Sequence, residues 1–311
     1  MKHALVHRFQ AALASAYWGY SQPWGDRPAS LEPLSHWSQL SVPLEISDLL
    51  QRRAAQAPLS FIFALLPLLL HYSDDDPGLR RWLGPLNTCV NSPRSNVVDV
   101  NTGTNAGDAA TALATEGACL LRQLTEAAIA ERPVCLSPGA QYPYLSPYLS
   151  VVLAYQGSGA GLVQVQGALE QVAEKPVGEQ RSKDIAARSA VALALALHSA
   201  FRTPNCVELA CGSIAPLIPS QAAEAAAIAG YLCGLGEGLA GSLQRYQMLD
   251  AVLPAAPNSL GAGPRAVPLT VRALGQDIMA AWSGAIHPQT HHSQIKTAAI
   301  AMPDTIRGRR T

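Results

Sequence analysis

Apolar positions recur along this chain at helical spacing, and polar glycine- and proline-rich stretches separate the periodic segments. The pattern predicts helices over 8–19, 109–130, 186–201 and 221–243, and a helical hairpin or kinked helix over 44–70, where Pro67 interrupts the run LSFIFALLPLLL. The segment ARSAVALALALHSAF alternates in a way that imitates a strand, but its length and alanine content decide for helix. Residues 87–105, 137–147 and 255–268 read as loops. Only Leu162–Val165 and Ala266–Val271 look strand-like, and they lie too far apart in sequence to suggest a sheet. The expectation is an all-α protein with one helical domain over 1–282 and a polar tail over 283–311. No repeat of about 20–50 residues appears, which argues against a helical solenoid.

The segment IPSQAAEAAAIAGYLCGLGEGLAG, residues 218–241, is the most informative. It is rich in alanine yet contains Gly230, Gly234, Gly236, Gly238 and Gly241, each costing a helix interior roughly 1 kcal/mol relative to alanine. Ala222, Ala226, Gly230, Gly234 and Gly238 fall at successive i+4 steps, so they line one face with almost no side chain. A second helix can approach such a face closely, and dense van der Waals contact then offsets the poor propensity. Ala227, Tyr231, Leu235 and Leu239 form a bulkier row beside it. Pro219 and Ser220 precede the helix, with Ser220 suited to the N-cap. Small-residue stripes also pack helices within membranes. Here only twelve residues separate Glu224 from Glu237, fewer than the roughly 20 a bilayer needs, so the expected place is a soluble core.

Composition narrows the function classes. Lys+Arg and Asp+Glu balance at 22 each, which gives no electrostatic reason to expect nucleic acid or an anionic membrane as partner. The basic ending RGRR at 307–310 reads as a solvated tail. Cysteines 89, 119, 135, 206, 211 and 233 show neither a CxxC pair nor zinc-ligand spacing, and with no secretory signal at the start the chain is expected in the reducing cytoplasm.

Three stretches together resemble the ADP-ribosylglycohydrolases, the family of the dinitrogenase reductase-activating glycohydrolase. VALALALHSAFRTPNCVELACG followed by AAEAAAIAGYLCGLGEGLAG is similar to that family's C-terminal signature, in which an alanine-rich helix leads through GGDxDT into an AAIAG-type helix. RFQAALASAYWGYSQPWGD at 8–26 resembles its glycine- and alanine-rich opening helix, ending at Gly25 and Asp26. LPLLLHYSDDDPGLRRWLGPLNTCVNSP at 66–93 resembles its proline-leucine helix, acidic turn and following helix. The resemblance spans most of 8–243 in the family's order. It implies a single-domain orthogonal helical bundle, in which active members use two magnesium ions to hydrolyse the N- or O-glycosidic bond of ADP-ribose.

The residues that carry this chemistry depart from the family pattern. Anchoring on AAIAG at 226–230 places GGDxDT over Pro219, Ser220, Gln221, Ala222, Ala223 and Glu224, so neither aspartate of the motif is present. Magnesium needs oxygen ligands, usually carboxylates, in near-octahedral array. Gln221 is a weak neutral substitute and Ala223 none. The family's second acidic motif, TDDT, has no counterpart between Asp26 and Leu65, where only Asp48 occurs. SDDD at 73–76 aligns with the family's acidic turn, and the Thr-His pair becomes Thr88 and Cys89. Two magnesium ions roughly 3.5–4 Å apart therefore lack adequate ligands.

The remaining constellations are weak. HPQTHH at 287–292 offers three imidazoles, but Pro288 breaks a helix there and the segment reads as exposed and polar rather than metal-binding. NTGTNAGD at 101–108 lacks a P-loop ending and reads as a helix-initiating loop capped by Thr104 or Asp108. GSGAG at 157–161 lacks dinucleotide-binding spacing. Trp18, Tyr20 and Trp24 are expected to fill the cleft of the resembled family or to offer a stacking surface for a purine or a partner protein. YPYLSPYL at 142–149 suits a protein contact.

Three function classes follow. The leading one is a catalytically degenerate glycohydrolase-like protein acting as a binding or regulatory module, with no cofactor and with a protein or nucleotide-like ligand as partner. The alternative is a divergent metal-dependent hydrolase of ADP-ribosyl bonds, using Asp26, Asp74, Asp75, Asp76 and Glu224 and requiring Mg2+. A third expectation is a structural subunit that associates through the small-residue face and the tyrosine-proline cluster.

Overall fold

The computed structural model describes residues 2–21, 54–80, 83–84, 106–132, 136, 141–174, 180–204, 206–237 and 278. These residues form helices and turns, with no strand among them. The elements are α1 (Lys2–Ser21), α2 (Pro58–His71), α3 (Ala106–Ile129), α4 (Ser146–Tyr155), α5 (Leu162–Glu174), α6 (Gln180–Arg202), α7 (Val207–Ile214), a 3-10 turn (Pro219–Gln221) and α8 (Ala222–Glu237). The all-α expectation agrees with this architecture. The predicted tail at 283–311, the loops at 87–105 and 255–268, and the segments at 266–271 and 287–292 lie outside the described residues.

α8 and α6 are the central helices. The small face of α8 lies directly on α1 in antiparallel register: a methyl built on Gly234 would stand 2.5 Å from the Ala11 carbonyl oxygen, one on Gly230 would overlap Ser15, and one on Gly19 would stand 2.5 Å from the Ala226 carbonyl oxygen. Backbone meets backbone along three consecutive turns. The expected close approach is therefore real, and from Ala226 to Gly234 the face is consumed within the chain, which removes that part as a surface for a second protein; Gly238 and Gly241 lie outside the described residues.

The described part of the bulkier row, Ala227, Tyr231 and Leu235, points into the core. Tyr231 is fully buried, and its hydroxyl shares a 2.9 Å hydrogen bond with Thr125 of α3, whose own hydroxyl reaches the Leu121 carbonyl oxygen. α1 is tied to α3 at another point, because Arg8 donates to the Ala128 carbonyl oxygen at 2.7 Å and pairs with Glu131 at 2.8 Å. That places a cation at the negative end of the α3 dipole. α3 ends there in a left-handed residue, Glu131, with Glu131 N–H bonded to Ala128 and Arg132 N–H to Ala127, a Schellman termination.

Several sequence expectations need correction. Leu162–Val165 is not a strand but the first turn of α5, where Val165 and Leu169 face inward at helical spacing. The expected loop over 137–147 gives way to α4 at Ser146, with Pro147 in the first turn where its missing N–H costs nothing. Ser220 does not cap α8. It lies inside the 3-10 turn, which runs straight into the helix at Ala222. Asp108 is the third residue of α3 rather than its cap, and Thr104 lies outside the described residues.

α2 is almost wholly buried and continues through Pro67, so the expected interruption is a lost hydrogen bond inside one helix rather than a break. One stretch among the described residues, Ile185–Arg202 of α6, is long and apolar enough to cross a bilayer; 72% of it is buried against the other helices, as in a core helix.

Candidate functional site

The site read from the sequence sits where the 3-10 turn enters α8, facing α2 and α6. Gln221 turns inward and donates through Nε2 to the Ser189 hydroxyl of α6 at 2.7 Å. Glu224, in the first turn of α8, is buried and accepts from the Ser60 hydroxyl of α2 at 2.9 Å. Its carboxylate lies at the positive end of the α8 dipole, which favours it there. Ala223 is 2% exposed and belongs to the hydrophobic core. The junction thus offers one carboxylate, one amide and two hydroxyls, a set that can tie three helices together by hydrogen bonds. It lacks the paired carboxylates that hold two hard cations.

The acidic turn is built differently. Asp75 accepts the Gly78 N–H at 2.9 Å and so caps the helical turn at 76–80. Asp76 pairs with Arg80 at 2.6 Å and with Arg122 at 3.0 Å. Asp74 is exposed, and Asp26 lies outside the described residues. Among the described residues no three His, Cys, Asp or Glu side chains come together at metal-ligand spacing. Among the described residues, Asp74, Asp75, Asp76 and Glu224 form no such group.

The aromatic clusters resolve as packing. Tyr20 is buried and stacks on Phe63 of α2 with ring centroids 4.5 Å apart, which fills space between α1 and α2. Trp18 is half-buried and packs against the core, and Trp24 lies outside the described residues. Tyr142 and Tyr148 are buried and Tyr144 half-buried, while Pro143 and Pro147 face outward, so the tyrosines of the expected contact surface are turned into the molecule. Glu116 of α3 anchors this segment by accepting the N–H groups of Tyr144 and Leu145 at 3.1 and 2.8 Å. Burial raises its carboxyl above the usual range, and those two bonds act against the rise. The GSGAG turn has left-handed glycines at 157 and 159, and its Ala160 carbonyl accepts from Arg202; it closes the α4–α5 connection onto α6.

Sequence reasoning passed over two buried polar groups, Arg122 and His198. Each breaks an apolar helical run, in ACLLRQL and ALALHSAF, and that interruption was the available signal. His198 is 4% exposed. Burial first, then the Arg202 charge, lower its pKa, against a hydrogen bond to the Val152 backbone. A histidine whose folded pKa is depressed folds neutral, whereas the unfolded chain takes up its proton near the ordinary value of 6.5. Stability is therefore expected to fall as pH drops below that value, by up to about 1.4 kcal/mol per pH unit until the folded pKa is reached. Urea unfolding of wild type and His198→Gln across that range measures it; the variant should lose this part of the pH slope.

No protein-family model, no curated protein and no solved structure matches this chain.

Proposed function

We propose that this chain is a catalytically degenerate ADP-ribosylglycohydrolase-like protein with the orthogonal bundle of that family, acting as a binding or regulatory module for a nucleotide-like or protein ligand. The observation that carries this reading is the junction before α8. At the positions aligned with the two missing aspartates, Gln221 is spent on Ser189 and Ala223 is sealed in the core. The helices aligned with the signature, α1, α6 and α8, pack together as a scaffold while the aligned chemistry is gone. The four described cysteines, 119, 206, 211 and 233, are free thiols, which supports a reducing, cytoplasmic setting.

Calorimetric titration with Mg2+, paired with an assay for ADP-ribose release from an ADP-ribosylated protein, tests the proposal. The expected result is no saturable magnesium heat and no release at any magnesium concentration. Magnesium-dependent release would overturn it in favour of a divergent hydrolase. Titration with ADP-ribose in the absence of metal then separates the two ligand classes: saturable heat identifies a nucleotide-like ligand, and its absence points to a protein.

A further inference from the structure

Among the described residues, five buried side-chain nitrogen or oxygen atoms have no hydrogen-bond partner, and four of them, Ser73 Oγ, Asp76 Oδ1, Arg122 Nε and Tyr142 OH, belong to residues that interact: Arg122 bonds the Ser73 backbone and pairs with Asp76, and Tyr142 interacts electrostatically with both Arg122 and Asp76. Their centre is the Arg122 guanidinium, 5% exposed, which projects from α3 under the turn that follows α2. Its Nη1 donates to the Ser73 carbonyl oxygen at 3.1 Å and to Glu126 at 3.2 Å. Its Nη2 lies 3.0 Å from Asp76 Oδ1, as an ion pair without hydrogen-bond alignment. Tyr142, 3% exposed, lies within electrostatic reach of Arg122, Arg80, Asp76 and Cys119.

The chemistry of the set selects its guest. The buried guanidinium of Arg122 already faces two carboxylates, Asp76 and Glu126, whose other partners, Arg80 and Arg132, are exposed. An added ion would bring uncompensated charge into a poorly solvated place. The remaining capacity runs in both directions. Arg122 Nε can only donate, Asp76 Oδ1 can only accept, and the two hydroxyls do either. A small neutral molecule that both accepts and donates satisfies all of them. Buried water typically makes about three such bonds to groups that otherwise lack partners.

We infer that Ser73, Asp76, Arg122 and Tyr142 enclose a permanent internal water site that locks the acidic turn onto α3. The SDDD turn is then a hydrated structural junction and not a cation site. This inference is independent of the proposed function.

Water-oxygen magnetic relaxation dispersion on the full chain tests it, comparing wild type with the Ser73→Ala/Tyr142→Phe double variant. Wild type should show long-lived water, and the variant should lose at least one water equivalent of dispersion amplitude; equal amplitudes would overturn the inference. If the double variant does not fold, the wild-type chain still decides, because Arg122 Nε–H should give a direct Overhauser contact to water. A missing contact at the assigned resonance counts against the site. Magnesium heat that is present in wild type and abolished by Asp76→Asn would make the guest a cation and overturn the inference as well.

Discussion

Gly230→Ala and Gly234→Ala are each expected to destabilise the protein by about 2–3 kcal/mol, although alanine is the better helix former by about 1 kcal/mol. A methyl at 234 would stand 2.5 Å from the Ala11 carbonyl oxygen, and the contact at 230 with Ser15 is as close. The opposing atoms are backbone, which cannot rotate away, so α1 and α8 must separate and lose packing along their whole interface. Gly236 supplies the control within the same helix, because nothing lies within 4 Å of the methyl it would gain. Gly236→Ala should therefore be neutral or stabilising by up to about 1 kcal/mol. Chemical denaturation of the three variants checks this, and a stabilising Gly230→Ala would mean that the two helices are not in backbone contact.

Ala223→Asp, which restores one aspartate of the resembled motif, is expected to cost about 3–5 kcal/mol at neutral pH. The site is 2% exposed and surrounded by core side chains, and the nearby polar groups are already engaged: Ser60 on Glu224 and Ser189 on Gln221. A carboxyl buried there has its folded pKa raised above the unfolded value. The unfolded chain thus ionises first, and the penalty grows as pH rises from the ordinary carboxyl range toward the folded pKa. Thermal unfolding at acidic and neutral pH measures both the loss and its slope. Added magnesium should not restore stability; a rise in melting temperature that saturates with magnesium would show that a competent ligand set persists around 223.

The degree to which the sequence was legible varied from element to element for physical reasons. α8 was readable because its length and alanine content favour a helix, and in a helix small residues repeating every four positions line one face. α5 was misread as a strand at 162–165 because four residues are too few to distinguish a period of 2 from one of 3.6. α4 was hidden because its first turn contains a serine and a proline, residues that also begin loops. The tyrosines at 142, 144 and 148 looked like a contact surface because proline flanks them, but an aromatic ring carries no mark of which way it will face.

The candidate site divided in the same way. The absence of aspartate at 221 and 223 is a property of residue identity and needed no coordinates. That Gln221 reaches Ser189, that Glu224 reaches Ser60, and that Asp76 is held by Arg80 and Arg122 are decisions of the tertiary structure. Ser60 and Glu224 are 164 positions apart, and Arg122 and Ser73 are 49 apart.

By itself the sequence determined the helical class, the closely packed face of α8 and which side chains stand at 221 and 223, because local periodicity and residue chemistry are written one position at a time. Only the folded structure decided which helix covers that face and which polar groups share an interior. Hydrogen bonds and ion pairs depend on distances between segments that the order of residues does not contain.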